Sequence, residues 1–426
     1  MFVTRQIFKR TGLYLSRYSK LSSSCYYYNN YQQAFHSNLP LVELSEEEQM
    51  IKDNAARFSK EKIAPRVREM EETKMFPKDL LEEVGKLGWF GFRIPPEYGG
   101  SGGSLFQLLL IAEEVCKVDP GFSSCFGYQN TLTSKIILGY ASEEQKQEYL
   151  PRIAKGMFTS VCLSEPDSGS DAFSLQTRAV PDGDDYVING RKLWITNAEK
   201  ADLYLIMANA APEQGYKGIT CFIVDAGTPG LSVPRNEQKM GLNIVSNCPV
   251  MLDDVRVPAS NIIGNVGGGY KIMANALTDG RIGIAAQAVG GAQGVLDIAI
   301  PYVMERKQFG KRLFDFQAMQ HQIAQATVEV TAARLLYYNA AKLLDQKLPS
   351  VKEASMAKYF ATEIDLFNEV ACQVCIQGIK WLGALGYMKE MPVEKFLRDL
   401  VAATIYEGTS NIQLNTIAAC LKAEYR

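Results

Sequence analysis

The chain has 426 residues, 45 basic and 47 acidic, for a formal net charge of −2, and it holds only two histidines. That balance gives no electrostatic reason to bind nucleic acid or an anionic membrane surface. Two histidines are too few for a multi-histidine metal centre and leave little room for a Ser-His-Asp hydrolase. The length is enough for roughly three domains of about 150 residues each. No apolar run reaches the ~18 residues of a membrane span. The cysteines number nine, odd and scattered, which suits a reducing compartment. Cys372 and Cys375 form a CxxC with no companion pair, and read as buried helix thiols rather than a metal site.

Residues 1–39 differ from the rest. Arg5, Lys9, Arg10, Arg17 and Lys20 stand among many Ser and Tyr, with no acid before Glu43. This is the pattern of a mitochondrial transit peptide, cleaved from the mature protein.

Residues 40–157 read as an α-helical domain. Ser45-Glu46-Glu47-Glu48 opens a helix with a capping box. Further helices are expected at Pro77–Leu87, at Leu105–Cys116 and past Asn130. Residues 93–104 form a long Pro/Gly loop whose glycines match no dinucleotide fingerprint.

Residues 158–266 change period. Strand runs appear at Tyr186–Ile195, Leu203–Ala208, Ile219–Val224 and Cys248–Val257. Asn189-Gly190 is a strong hairpin signal. Short strands without intervening helices predict a small β-barrel or sandwich rather than a dinucleotide-binding sheet.

Residues 267–426 return to helices, at Tyr270–Glu305, Phe316–Leu344, Lys352–Leu382 and Pro392–Ala403, and read as an antiparallel four-helix bundle. Gly290, Gly291 and Gly294 permit close helix packing. His321 reads as a structural histidine. The whole is an α+β chain: helical domain, small β-barrel, helical bundle.

Proton chemistry then rests on carboxylates, Lys, Tyr or a cofactor. The stretch Tyr406-Glu407-Gly408-Thr409-Ser410-Asn411 places one carboxylate between two helical patterns. Thr409, Ser410 and Asn411 are N-cap types for the tail helix. A helix start suits an anionic ligand. Apolar walls around Glu407 would raise its pKa and fit it for acid–base work. By itself the residue also fits a solvated loop acid.

Three stretches together resemble the acyl-CoA dehydrogenase family: Cys162-Leu163-Ser164-Glu165-Pro166-Asp167-Ser168-Gly169-Ser170-Asp171, then Arg306-Lys307-Gln308-Phe309-Gly310-Lys311 with Phe316-Gln317, then Tyr406-Glu407-Gly408-Thr409-Ser410. Residues 215–220, 279–286 and 410–416 bring the resemblance closest to members acting on short and branched acyl chains. It covers residues 41–426. It implies an FAD enzyme, usually a homotetramer, that takes an acyl-CoA to its 2,3-enoyl-CoA. Electrons pass to an electron-transfer flavoprotein in the mitochondrial matrix. An acyl-CoA oxidase, or a non-catalytic member acting in assembly, stays open beside it.

The resemblance assigns Glu407 as the base that removes the α-proton, with its own N–H on the thioester oxygen, while the β-hydride goes to flavin N5. Some members carry the base just before the arginine matching Arg281; here that place is Gly280, which cannot act. Val161, Cys162, Leu163 and Ser164, with Ser168, Gly169 and Ser170, are implied to line the flavin. Trp194, Ile195 and Thr196 are implied to pack on the isoalloxazine. Arg306 and Gln317 are implied to reach the FAD of a neighbouring subunit, as are Lys380, Trp381, Leu382, Gly383 and Ala384. Thr409, Ser410 and Asn411 cap a helix facing it. Ser170, Tyr216, Tyr270, Thr278, Asp279, Gly280 and Arg281 are implied for the substrate and its CoA arm. No metal is implied. Three departures stand out: Ala384 where a glycine is usual, extra residues around Asp365–Val370, and Pro166-Asp167 where a small pair is usual.

Overall fold

The structure is a computed structural model that describes residues 43–363 and 370–426. The leader, His36 and most of the extra stretch at 365–370 lie outside the described residues.

The N-terminal helices begin where their caps dictate. Helix α1 (Glu46–Phe58) starts from Ser45, whose Oγ accepts the Glu48 N–H at 3.2 Å while Glu48 accepts the Ser45 N–H at 2.8 Å. Short helices α2 (Val67–Thr73) and α3 (Lys78–Lys86) follow. Helix α4 (Leu105–Cys116) has a second capping box, Ser104 with Gln107, and is buried along almost its whole length. Helices α5 (Ser124–Tyr128) and α6 (Ser134–Tyr140) run together through a π turn at Gln129–Thr133, and α7 (Glu143–Ala154) follows. The Pro/Gly loop holds one 3₁₀ turn, Pro96–Tyr98.

The middle segment is one eight-stranded sheet: β1 (Thr159–Cys162), β2 (Arg178–Asp182), β3 (Asp185–Thr196), β4 (Leu203–Asn209), β5 (Ile219–Asp225), β6 (Leu231–Ser232), β7 (Asn247–Pro258) and β8 (Ile262–Ile263). Its order is β6-β7-β3-β2-β4-β5-β8, with β1 alongside β4. β1 and β2 each run parallel to β4; the other pairings are antiparallel. The sheet curls so that Ile188, Ile206, Phe222, Val224, Val250 and Val255, from distant strands of the path, share one interior. Its other face packs on α6, α7 and the start of the next helix through Ile136, Leu150, Leu205, Ile223 and Met273.

Asn189-Gly190 is not the hairpin turn. The β2–β3 turn falls at Gly183-Asp184, with Asp182 opposite Asp185 and Gly183 at φ +63°. Asn189-Gly190 lies inside β3, at a register shift against β7. There the Asn189 side chain exchanges two 2.8 Å hydrogen bonds with Asp254, filling the interrupted ladder. Gly190 is required for a different reason: a methyl there would lie 2.4 Å from Thr177 Oγ1. Both dipeptides carry the local signal, and only cross-strand packing separates turn from bulge.

The C-terminal part is α8 (Gly269–Glu305), α9 (Gln317–Asp345), α10 (Val351–Thr362), α11 (Ala371–Leu382), α12 (Ala384–Tyr387), α13 (Val393–Val401) and α14 (Ser410–Glu424). A two-stranded turn, β9 (Lys307–Gln308) with β10 (Lys311–Arg312), joins α8 to α9. The single helix expected from Lys352 to Leu382 is described as two, α10 and α11. Helix α8 is long and apolar enough to cross a membrane, which a search for unbroken apolar runs does not register. It is a core helix: 72% of its most apolar window is buried in protein. The glycines do what their size allows. A methyl on Gly290 would meet Glu113 O at 2.6 Å, one on Gly294 would meet Lys117 O at 2.2 Å, and one on Gly291 would meet Leu400 at 2.7 Å. Residues of α1 and α4 share one hydrophobic core with α8–α11 and α13, so the two helical parts bury each other. Cys372 and Cys375 are buried thiols on α11.

Candidate functional site

The site is built at the turn between α13 and α14. Glu407 and Gly408 adopt successive left-handed conformations, φ 57° and 92°. Glycine does this freely; for a glutamate it is strained and persists only when neighbours enforce it. Gln413, fully buried, donates from Nε2 to the carbonyls of Glu407 (3.1 Å) and Gly408 (2.8 Å). Lys358 of α10, also fully buried, donates from Nζ to the Gly408 carbonyl at 2.8 Å. Tyr406 anchors the approach through its hydroxyl on Gln287, which in turn donates to Pro120 O at 2.8 Å.

This turn throws the Glu407 carboxylate against Gly280 of α8. A methyl built on Gly280 would lie 2.5 Å from Oε2 and 2.7 Å from the carboxyl carbon. Positions 280 and 407 therefore address one point in space, and the lack of a side chain at 280 is what admits the acid of 407. Glu407 Oε2 is buried without a hydrogen-bond partner. Loss of water pushes its pKa up to about 7, against the pull of the Arg281 and Lys358 charges and with some help from Asp279. Burial also lowers Lys358, to about 8. Arg281 donates to the buried Ser355 at 3.1 Å, its Nε is buried without a partner, and burial lowers its pKa too.

The β-sheet reaches this point through Tyr128. Its hydroxyl accepts the Val161 N–H of β1 at 2.7 Å, and the Glu407 charge adds to the burial that raises its pKa. After β1, the loop 162–170 is held by a buried ion pair. Lys192 Nζ meets Glu165 at 2.8 Å and Leu163 O at 3.1 Å; Glu165 also accepts the N–H groups of Gln176 (2.6 Å) and Thr177 (3.1 Å). Glu165 and Ser168 exchange backbone hydrogen bonds, and Leu193 N–H donates to Ser164 O at 2.9 Å. Gly169 and Ser170 are exposed beyond this pinned base.

The expected flavin residues divide by where their side chains point. Trp194 sits at φ 57° on a register shift in β3 with 57% of its surface exposed, so it is not a core tryptophan. Thr196 lies beside it and accepts from Asn247 at 3.2 Å. Ile195 and Cys162 turn their side chains into the sheet interior, so toward a flavin they would offer backbone. Val161 faces the helices instead. Alternation along a strand is the cause. Trp381 and Leu382 are likewise core residues, Trp381 donating to Gln322 at 2.9 Å, whereas Lys380, Gly383 and Ala384 are exposed. Gly383 has φ 63° with open space around it, and Ala384 opens α12. Arg306 and Gln317 are exposed at the two ends of the α8–α9 connection. Thr409 is the N-cap of α14 but makes no side-chain cap bond, so the capping expected of Thr409 is not made; Ser410 and Asn411 begin the helix.

Of the residues expected for the CoA arm, Tyr216 and Tyr270 come together, rings 4.8 Å apart, with Phe173 at 4.6 Å from Tyr270. Ser170 is exposed. Thr278 and Asp279 are buried; Asp279 pairs with Arg93 at 2.6 Å and Lys135 at 3.3 Å, so its carboxylate serves those cations and not an open surface. Sequence reading missed Lys358, Gln413, Lys192 and Tyr128. Lys192, Tyr128 and Lys358 matter because of partners 27, 33 and 50 residues away, and Gln413 because the turn five and six residues before it brings two carbonyls onto its side chain.

Family profiles match the chain in chain order: the acyl-CoA dehydrogenase N-terminal domain at residues 45–157, the middle domain at 160–255 and the C-terminal domain at 267–422. The short/branched chain specific acyl-CoA dehydrogenase, mitochondrial, of Bos taurus is 49% identical over 386 residues, 91% of this chain and 88% of the relative. The caffeyl-CoA reductase-Etf complex subunit CarC of Acetobacterium woodii is 41% identical, covering 88% of this chain and 98% of that protein. Butyryl-CoA dehydrogenase from Megasphaera elsdenii superposes with a TM-score of 0.85 at 35% identity, over 89% of this chain and 99% of that one. With likeness running through all three parts of the fold and a lone carboxylate held over Gly280, the chain belongs to the acyl-CoA dehydrogenase family, a family of FAD-dependent oxidoreductases.

Proposed function

We propose that the chain dehydrogenates short and branched acyl-CoA thioesters between the α and β carbons, with Glu407 as the base. The observation that carries this reading is the Glu407 carboxylate, drawn out of water against Gly280 and pushed up to about 7. A base working near neutral pH needs a pKa close to that value. Oε2 takes the α-proton, and the electron pair left on the α-carbon spreads into the thioester carbonyl. The backbone N–H of Glu407 assists at that oxygen. Arg281 and Lys358 keep the carboxylate ionisable despite its burial. Ser170, Tyr216, Tyr270, Thr278 and Arg281 hold the substrate and its CoA arm, with Asp279 acting behind them through Arg93 and Lys135.

FAD, when bound, supplies the acceptor for the β-hydride. The residues fit such a group on two observations: the exposed ring of Trp194 has no core to join, and the start of α14 is left uncapped by its own Thr409. An uncapped helix start suits a diphosphate. Val161–Ser164, Ser168–Ser170, Trp194 and Thr196 would hold the ring side, and Thr409, Ser410 and Asn411 the phosphate side. Arg306, Gln317, Lys380, Gly383 and Ala384, exposed on one protomer, would reach the FAD of a neighbour in a homotetramer. Electrons would leave to an electron-transfer flavoprotein; likeness to a subunit of an Etf complex supports this. A mitochondrial matrix location is supported by the basic, acid-free leader and by a mitochondrial relative.

The test is anaerobic. Purified protein with FAD should bleach on adding 2-methylbutyryl-CoA, and turnover on 2-methylbutyryl-, isobutyryl-, butyryl- and isovaleryl-CoA ranks the acyl chains. Discrimination of one methyl is worth about 1–3 kcal/mol. Absence of bleaching with every thioester sinks the reading.

A further inference from the structure

A buried lysine is costly, and one sits behind the Glu407 turn with no carboxylate in direct contact among the described residues. Lys358 is fully buried on α10, and the acceptor at its Nζ is a backbone carbonyl, Gly408 O at 2.8 Å. That carbonyl belongs to the residue after the base. Gln413 Nε2 donates to the same oxygen at 2.8 Å, from the first turn of α14. Two donors thus converge on one carbonyl from two helices and between them fix the plane of the Gly408–Thr409 peptide, while Gln413 also holds the Glu407 carbonyl at 3.1 Å. One turn earlier on α10, Ser355 accepts Arg281 at 3.1 Å, so α10 holds both cations that act on the carboxylate.

We propose that Lys358 is a positioning residue for the reaction: through the Gly408 carbonyl it holds the left-handed turn that lays the Glu407 carboxylate over Gly280. The inference rests on Glu407 being the base. It adds what holds a strained glutamate in its left-handed conformation. The strain at φ 57° would otherwise relax, swinging the carboxylate off the α-carbon.

The electrostatics agree in sign. The charged groups acting on Glu407 are Arg281 and Lys358, which lower its pKa, and Asp279, which raises it; Tyr128 and Tyr406 are the neighbouring phenols. Lys358 in turn is acted on by Glu407 and Glu363, which raise it, and by Arg281, which lowers it. Removing the Lys358 charge leaves Glu407 with Arg281 alone against its burial, so its proton is held to higher pH.

Two readouts on the FAD-loaded protein test this. The first is a difference-infrared titration of the protonated carboxyl band in wild type, K358M and E407Q, which needs no substrate. Wild type should show a band that is absent from E407Q and is lost near pH 7; in K358M it should persist about one pH unit higher. The second is the rate of flavin bleaching by acyl-CoA. K358M should slow it about tenfold to a hundredfold at pH 7 with KM changed less than about threefold, and raising the pH should recover part of the loss. Should K358M not accumulate as folded protein, K358Q, which keeps a donor for Gly408, carries the same titration. A carboxyl band unmoved by either variant, or a slow rate that is independent of pH, overturns the proposal and leaves Lys358 a packing residue. If wild type titrates as expected but no thioester bleaches it, the proposed activity fails, and the band shift in K358M then reports only the hold of Lys358 on the Glu407 carboxyl.

Discussion

Two glutamates flank the site, both drawn out of water, and they end in opposite states. Glu165 receives an ammonium at 2.8 Å and two backbone N–H groups at 2.6 and 3.1 Å. Burial pushes its pKa up, yet Lys192 and these donors hold it below the usual carboxylate range. Glu407 has two cations acting through space but no hydrogen bond at Oε2, and burial wins, up to about 7. The difference teaches that desolvation sets the problem and direct donors decide the outcome. Glu165 is a fixed charge that pins the loop 162–170. Glu407 is left able to take a proton.

That contrast breaks most visibly at the proposed base. Glu407→Gln should lower the rate of anaerobic flavin bleaching by about 10²–10⁴-fold while FAD stays bound, read by stopped-flow absorbance. A loss below tenfold would move the base elsewhere. Next in size is the pinned charge. Glu165→Gln leaves Lys192 buried without its counter-charge and should cost about 3–5 kcal/mol in urea unfolding. Replacing both, as Glu165→Leu with Lys192→Met, should return most of that stability. If the single change is neutral, the pair does not hold the loop.

The two acids should also differ in pH. Glu407 is a base only when deprotonated, so kcat/KM should rise with pH and level off above about 7. For stability the sign is reversed. The folded pKa of about 7 lies above the ordinary value of 4.5, so the folded state binds the extra proton between them. The cost of ionising Glu407 is absent below 4.5, grows between 4.5 and 7 and is complete above 7. Glu407→Gln should therefore gain stability over wild type across that window, measured by denaturation at several pH values. Glu165, whose folded pKa is lowered, contributes stability above its unfolded pKa that is lost as pH falls through its folded value. The smallest effect is expected at Gly280→Ala. Its methyl would crowd Oε2 at 2.5 Å, and the carboxylate must turn aside. Turnover should fall about tenfold with stability changed by no more than about 1 kcal/mol, since alanine favours the helix. An unchanged rate would show that the carboxylate does not work from that spot.

By itself the sequence determined the elements whose causes are local. Capping at Ser45 and the apolar runs of β4, β5 and α4 were legible because helix starts and strand periods are written within a few neighbouring residues. The base proposed for the reaction, Glu407, was also singled out from the sequence, as the acid of a short motif opposite a glycine at 280 that carries no side chain. Tertiary structure decided what depends on distant partners. It made Asn189-Gly190 a bulge, turned Ile195 and Trp381 inward, bound Asp279 to Arg93 and Lys135, and brought Lys192 to Glu165 and Lys358 to Gly408. Burial and charge pairing are sums over neighbours that only the folded chain assembles, so the same glutamate letter specifies a fixed anion at 165 and an acid pushed up toward neutrality at 407.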